Sequence, residues 1–302
     1  MGKLCTIEFA DRRETGMKNV LKLEMEKALK NRMFLLSLII GIIPAVMSAM
    51  YNILNTMQSI SSLKEIYDTP SYYIEGFSLM NSWMGGEAYS LGSAIFFYIC
   101  PLIVALPYGW SYCEEKRRGY RQLVITKCGR RAYVAAKYMA VFCTGGLAII
   151  IPLLLNLLLI ALFIPMIRPF PSFIDMYGVT SYDLMSELYF NHPLWYIFSY
   201  ILLDFIFGGL IACLAFVFSA FVKYKVLSVI LPMFVCLCIN YLKNFIYPDP
   251  PGHLYHELSP LYFLRAVSTV YPASWNIILT EGCILLFVLC VMGVKEAHCE
   301  IY

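Results

Sequence analysis

Charge is scarce in this sequence: Asp, Glu, Lys and Arg make up 14% of its 302 residues, where a soluble domain carries roughly 25%. With 60% hydrophobic residues and a mean hydropathy of +0.68, an ordinary soluble fold is excluded. Histidine is scarcer still, at four residues. Its cluster with a carboxylate, His253-Leu254-Tyr255-His256-Glu257, lacks the spacing of the His-Glu-x-x-His metalloprotease motif, so no metal site is predicted there. The sequence has no Gly-rich phosphate loop, dinucleotide fingerprint or nucleophile triad. Nothing on the chain is predicted to hydrolyse ATP, and no cofactor is expected on it. The 11 cysteines lie within apolar runs or in segments predicted to share one side of a membrane (Cys5, Cys113, Cys128 and Cys299), so no disulfide framework follows. A net charge of +3 gives no footprint for nucleic acid. No internal repeat relates the two halves, which argues against carriers built from two clear repeats.

What the sequence has instead is long apolar runs. A helix needs about 20 apolar residues to cross ~30 Å of hydrocarbon. Six segments are predicted to do so: 33–54, 91–110, 133–164, 194–222, 226–247 and 273–294. The predicted class is an all-α polytopic membrane protein. Residues 1–16 are polar, mixed in charge and carry no secretory signal; they are expected to be an extension, with 17–302 forming a single domain. Ahead of the first span, Lys22, Lys27, Lys30 and Arg32 alternate with Val20, Leu21, Leu23, Met25, Ala28 and Leu29 at helical spacing. That pattern suits a basic amphipathic helix lying on a lipid surface. Residues 253–272, half polar and bounded by prolines, are predicted to form short re-entrant or interfacial helices carrying His253, His256, Glu257 and Arg265, a candidate external gate.

Six spans place both termini on one side. Nineteen of the 23 Lys and Arg residues fall on that side, which predicts cytoplasmic termini. Two acidic residues interrupt the spans: Asp204 in the fourth and Glu281 in the sixth. Ionisable groups at such depth are costly and face a bundle interior, a cavity or a partner. They are read either as a polar patch on a transport path for cationic or amphipathic cargo, or as interhelical glue.

The densest charged stretch lies between the second and third spans: Glu114-Glu115-Lys116-Arg117-Arg118-Gly119-Tyr120-Arg121, then Arg130-Arg131 and Lys137. A loop of mixed charge fixed to two spans can dock on a soluble partner by complementary charge, or can simply set topology. Its order, Glu115-x-x-x-Gly119-x-x-x-Leu123 followed by Thr126, Arg130 or Arg131, Tyr133 and Lys137, resembles that of the permease subunits of type-2 ABC exporters. So do the amphipathic lead-in, the six spans and the broken segment between the fifth and sixth. Where that family often has a proline after the Thr126 position, Lys127-Cys128-Gly129 stands here.

The resemblance implies that the loop is a coupling helix seated on an ATPase. Glu114, Glu115, Arg118 and Arg121 would make polar contacts, Gly119 would allow close approach, and Arg130, Arg131 and Lys137 would anchor the next helix. It further implies a cytoplasmic ABC ATPase dimer carrying ATP and Mg, a second or homologous permease copy, and a bacterial plasma membrane. Export of a small peptide, antimicrobial or amphipathic compound would follow, with no enzymatic activity on this chain. The alternatives are an intramembrane enzyme and a membrane-embedded sensor or immunity protein.

Overall fold

The computed structural model describes residues 18–66, 76–170, 178–180, 183–247, 255–268 and 271–298. Every regular element among them is helical. An N-terminal helix, α1 (18–29), is followed by α2 (Arg32–Ile66), α3 (Leu79–Ser82), α4 (Leu91–Ala105), α5 (Ser111–Arg117) and α6 (Tyr120–Cys128). Next come α7 (Arg130–Ala161), α8 (Ser186–Asn191), α9 (Pro193–Phe221), α10 (Lys225–Ile246), α11 (Pro260–Phe263) and α12 (Trp275–His298).

Five of these helices (α2, α7, α9, α10 and α12) are long and apolar enough to cross a membrane. The 15-residue α4 is shorter, spanning about 22 Å at helical rise. Its predicted continuation to Trp110 is interrupted at Ala105 by turns around Pro107, where a residue without an N–H cannot extend the ladder. In the other direction, α2 runs 12 residues past the expected end at Leu54, because 55–66 holds no glycine or proline to stop it. Where several short helices are expected between α10 and α12, the described residues hold one helical turn, α11, capped by the Ser259 hydroxyl accepting from the Leu261 N–H.

Helix α9 is the centre of the bundle: 72% of its most apolar 18-residue window is buried, against 22% for α10 and 11% for α12. Its main partner is α7, and small residues set their separation. A Cβ placed on Gly145 of α7 would lie 2.3 Å from the Ala212 Cβ of α9, so only glycine allows the helices this close. One turn further, Phe142 and Phe205 pack edge to face at 5.6 Å. At the other end of α7, the buried Asn156 side chain donates to the Ala45 carbonyl of α2 and accepts from the Met84 N–H, both at 2.8 Å. An amide with both ends satisfied ties three segments together inside an apolar layer.

Candidate functional site

The charged stretch between α4 and α7 folds into a hairpin. Helix α5 ends at Arg118, and Gly119 takes φ +72°, a left-handed conformation that glycine adopts without a Cβ penalty. Helix α6 then runs back and stops at Gly129, whose φ of +78° starts α7 on a new axis. The exposed tip comprises Lys116, Arg117, Arg118, Gln122, Leu123 and Thr126. Leu123 stands out among these polar neighbours, 66% exposed with nothing apolar covering it.

The base of the hairpin is organised around Lys137, whose side chain is 0% exposed. Its Nζ lies 2.6 Å from Glu24 Oε2 of α1, 2.8 Å from Glu115 Oε1 of α5 and 2.8 Å from the Tyr108 hydroxyl. The second oxygen of Glu115 accepts from Tyr133. Tyr108 donates to Glu24 Oε2 at 2.8 Å. Lys27 closes the outer edge, 3.2 Å from Glu24 Oε1 and 2.6 Å from the Tyr120 hydroxyl of α6. Two carboxylates and two ammonium groups therefore balance in charge within one hydrogen-bonded network, which is the condition for burying ions without a large uncompensated penalty. Burial pushes the Glu24 carboxyl upward, but the Lys137 and Lys27 ammonium groups and the Tyr108 hydroxyl outweigh it and hold the group below its ordinary value. Burial also opposes the charge on Lys27, yet Tyr120 and Glu24 leave that ammonium harder to deprotonate than usual.

Three further ties radiate from the same hairpin. Glu114, 7% exposed, pairs with Arg118 and with Lys225, the first residue of α10 after its turn from α9. Cys113 Sγ sits 3.2 Å from the Lys223 carbonyl of that turn. Glu296, near the end of α12, receives Arg121 at 3.2 Å, Arg130 at 3.7 Å and the Tyr112 hydroxyl. Arg121 also lies 5.0 Å over the Tyr112 ring. Helix α1, the start of α7, the α9–α10 turn and the end of α12 therefore all meet at one end of the bundle, clamped to one hairpin.

The residues expected to face a partner divide in an informative way. Glu114, Glu115, Arg121 and Arg130 spend their charge on contacts within the chain, while Arg118 is exposed except for its pairing to Glu114. Arg131 is exposed at the edge of an apolar groove between α7 and α12. In α1, Lys22 is exposed and Lys27 half-buried; Lys30, just past its end, and Arg32, the first residue of α2, are exposed. The stripe turned toward the protein is Val20, Glu24 and Ala28, while Leu23 and Leu29 stay exposed. Sequence reasoning passed over Glu24, Tyr108, Tyr112, Lys225 and Glu296. Only the recurrence of Glu24 on one helical face with Val20 and Ala28 offered a signal.

At the opposite end Glu257 and Arg265 line one small cavity with Asp183, without pairing to each other. Glu257, 2% exposed, pairs with Lys243 at 2.9 Å, whereas the His256 side chain is exposed. Arg265 is buried and donates to the Ser93 carbonyl at 3.3 Å. His253 lies outside the described residues, as do 1–16. Within the bundle, Asp204 Oδ1 and Glu281 Oε2 are buried with no hydrogen-bond partner among the described residues.

Compared with known proteins, the chain matches no family model and no curated protein sequence.

Proposed function

We propose that the chain is the permease subunit of an ATP-driven exporter of the type-2 ABC kind, with both termini cytoplasmic in a bacterial plasma membrane. In this reading α4 and the uncharged turn after it make a sixth crossing, returning the chain from the end of α2 to the hairpin. A separate ATPase dimer binds ATP and Mg, and a second permease copy completes the path. The peripheral helices α10 and α12, whose apolar faces are largely uncovered, would meet lipid or that copy. The cargo is a small peptide or amphipathic compound, for which the buried carboxylates of Asp204 and Glu281 supply a polar patch.

The observation that carries this reading is the combination of an exposed hairpin tip with a base clamped to four separate elements. A push on the tip has ion-paired routes into α1 and α7 through Lys137, into the start of α10 through Glu114, and into α12 through Glu296. Helix α7 packs along α9, which bears Asp204, so displacement at the hairpin reaches the interior carboxylate through packed helices.

Leu123 separates docking from internal support, because its side chain is 66% exposed and apolar and so has no part in the ion pairs of the base. Leu123→Asp should release a co-purifying ATPase and lower transport-coupled ATP hydrolysis at least tenfold, leaving the melting temperature and membrane insertion unchanged. Retention of the ATPase by the variant, or purification of the wild-type chain alone under every nucleotide condition, would count against the reading.

A further inference from the structure

Two cations are buried at the end opposite the hairpin, and they are treated differently. Lys243, 8% exposed, has its own counter-ion: both Glu257 oxygens lie within 3.0 Å, and the Tyr262 ring sits 4.6 Å beneath the ammonium. Arg265, 7% exposed, has no carboxylate within ion-pairing distance among the described residues. Its Nη2 donates to the Ser93 carbonyl, its guanidinium carbon lies 5.2 Å over the Phe97 ring, and its buried Nε has no acceptor. A guanidinium carries five N–H donors. The nearby Glu87 carboxylate is already committed to Ser48, the Tyr89 N–H and both the N–H and hydroxyl of Ser90. A charge buried this far without a paired anion costs several kcal/mol.

Arg265 also lines a cavity of about 450 Å³ between α4 and α11. Its walls are apolar, formed by Ala94, Ile95 and Ile99 of α4 and Leu261 of α11, with Tyr98 and the Tyr262 ring beside them. Ile95 and Tyr98 are 37% and 46% exposed, so the cavity opens through the outward face of α4. An apolar trough that ends in a guanidinium short of an anion has the polarity of an acidic lipid: an acyl chain against the wall and a phosphodiester on the fork.

We propose that this cavity is a binding site for an anionic phospholipid, with Arg265 as the head-group anchor. The anion site follows from the burial and bonding of Arg265 alone. The orientation proposed above would place this site in the outer leaflet.

The test is native mass spectrometry of the full chain released from detergent and titrated with phosphatidylglycerol, phosphatidylcholine or laurate, alongside melting curves with each. The wild type should retain one phosphatidylglycerol with at least tenfold preference over phosphatidylcholine and gain thermal stability from it. Arg265→Gln should bring that preference to within twofold and abolish the gain, while melting no lower than wild type without lipid, since it removes an unpaired charge. Ala94→Trp fills the trough and leaves the guanidinium in place; it should block retention as well, and it decides the matter if the arginine variant fails to fold. Equal phosphatidylglycerol retention by wild type and both variants would overturn the site. Retention of laurate but not phosphatidylglycerol would overturn the lipid assignment, giving the same site to a free acidic amphiphile.

Discussion

Lys137→Met tests the reasoning about the hairpin base most directly. Methionine fills a similar volume but removes the ammonium that lies 2.6 Å from Glu24 and 2.8 Å from Glu115. Two carboxylates are then left without the buried ammonium between them, and Tyr108 loses one of its two partners there. Deleting one member of a buried ion pair costs about 3–5 kcal/mol, chiefly because the remaining charge is uncompensated. Lys27, 3.2 Å from Glu24, and protonation of one carboxyl offset part of this.

Taking the lower figure of ~3 kcal/mol as the weakening of α1 docking, the undocked population rises by roughly 100-fold. Hydrogen exchange of peptides covering 18–29 reads that population, since exchange follows local opening. The expected result is a rise in exchange of about two orders of magnitude in α1, with little change in the central helix α9. Combining Lys137→Met with Glu24→Gln and Glu115→Gln should recover much of the protection, because no charge then remains buried. Protection of 18–29 within twofold of wild type in a folded Lys137→Met protein would refute the claim that this network holds α1 in place.

The same network has a pH window. Glu24 has a lowered folded-state pKa, so its contribution is fully present above the ordinary value of 4.5 and is lost as pH falls through the lower folded value. Lys27 has a raised one, so its contribution is present below 10.5 and is lost as pH rises through the higher folded value. The melting-temperature difference between wild type and Glu24→Gln should therefore be largest between about pH 5 and 10 and shrink toward pH 3; a difference independent of pH would contradict this account. At the α7–α9 crossing, Gly145→Val places a Cβ 2.3 Å from that of Ala212 and should lower stability by at least ~1–3 kcal/mol. Gly293→Ala meets nothing closer than 3.5 Å and should be neutral or slightly stabilising. Melting curves in detergent compare the two, and equal melting of Gly145→Val and wild type would rule out glycine-limited packing.

How much of this was legible depends on whether a property is local. The apolar runs forecast five of the long helices because hydrocarbon thickness acts on consecutive residues. The ends were harder. Helix α2 overran Leu54 because polarity alone does not stop a helix, and α4 gave way to turns around Pro107 although it runs through Pro101. The Gly145-Gly146 and Gly208-Gly209 pairs within apolar runs are legible as sites of close helix packing, and Gly145 lies at the α7–α9 crossing. The charged hairpin was legible as a charged loop but not in its orientation: Glu114 and Glu115 belong to a run that would ordinarily face water.

Composition and periodicity alone therefore determined that this is a helical chain with several membrane-length segments, an amphipathic lead-in and one charged connection. Both hydrophobic length and charge spacing are written along the chain, so no partner is needed to read them. Only the tertiary structure decided which charges meet. Glu24 and Lys137 are 113 positions apart, and Arg121 and Glu296 are 175 apart. Their bonds exist because α1, α5, α7 and α12 converge at one end of the bundle, where burial makes each unpaired ion costly enough to select its counter-ion. The left-handed turn at Gly119 completes that arrangement, turning the carboxylates of α5 inward and leaving Leu123 on the outside.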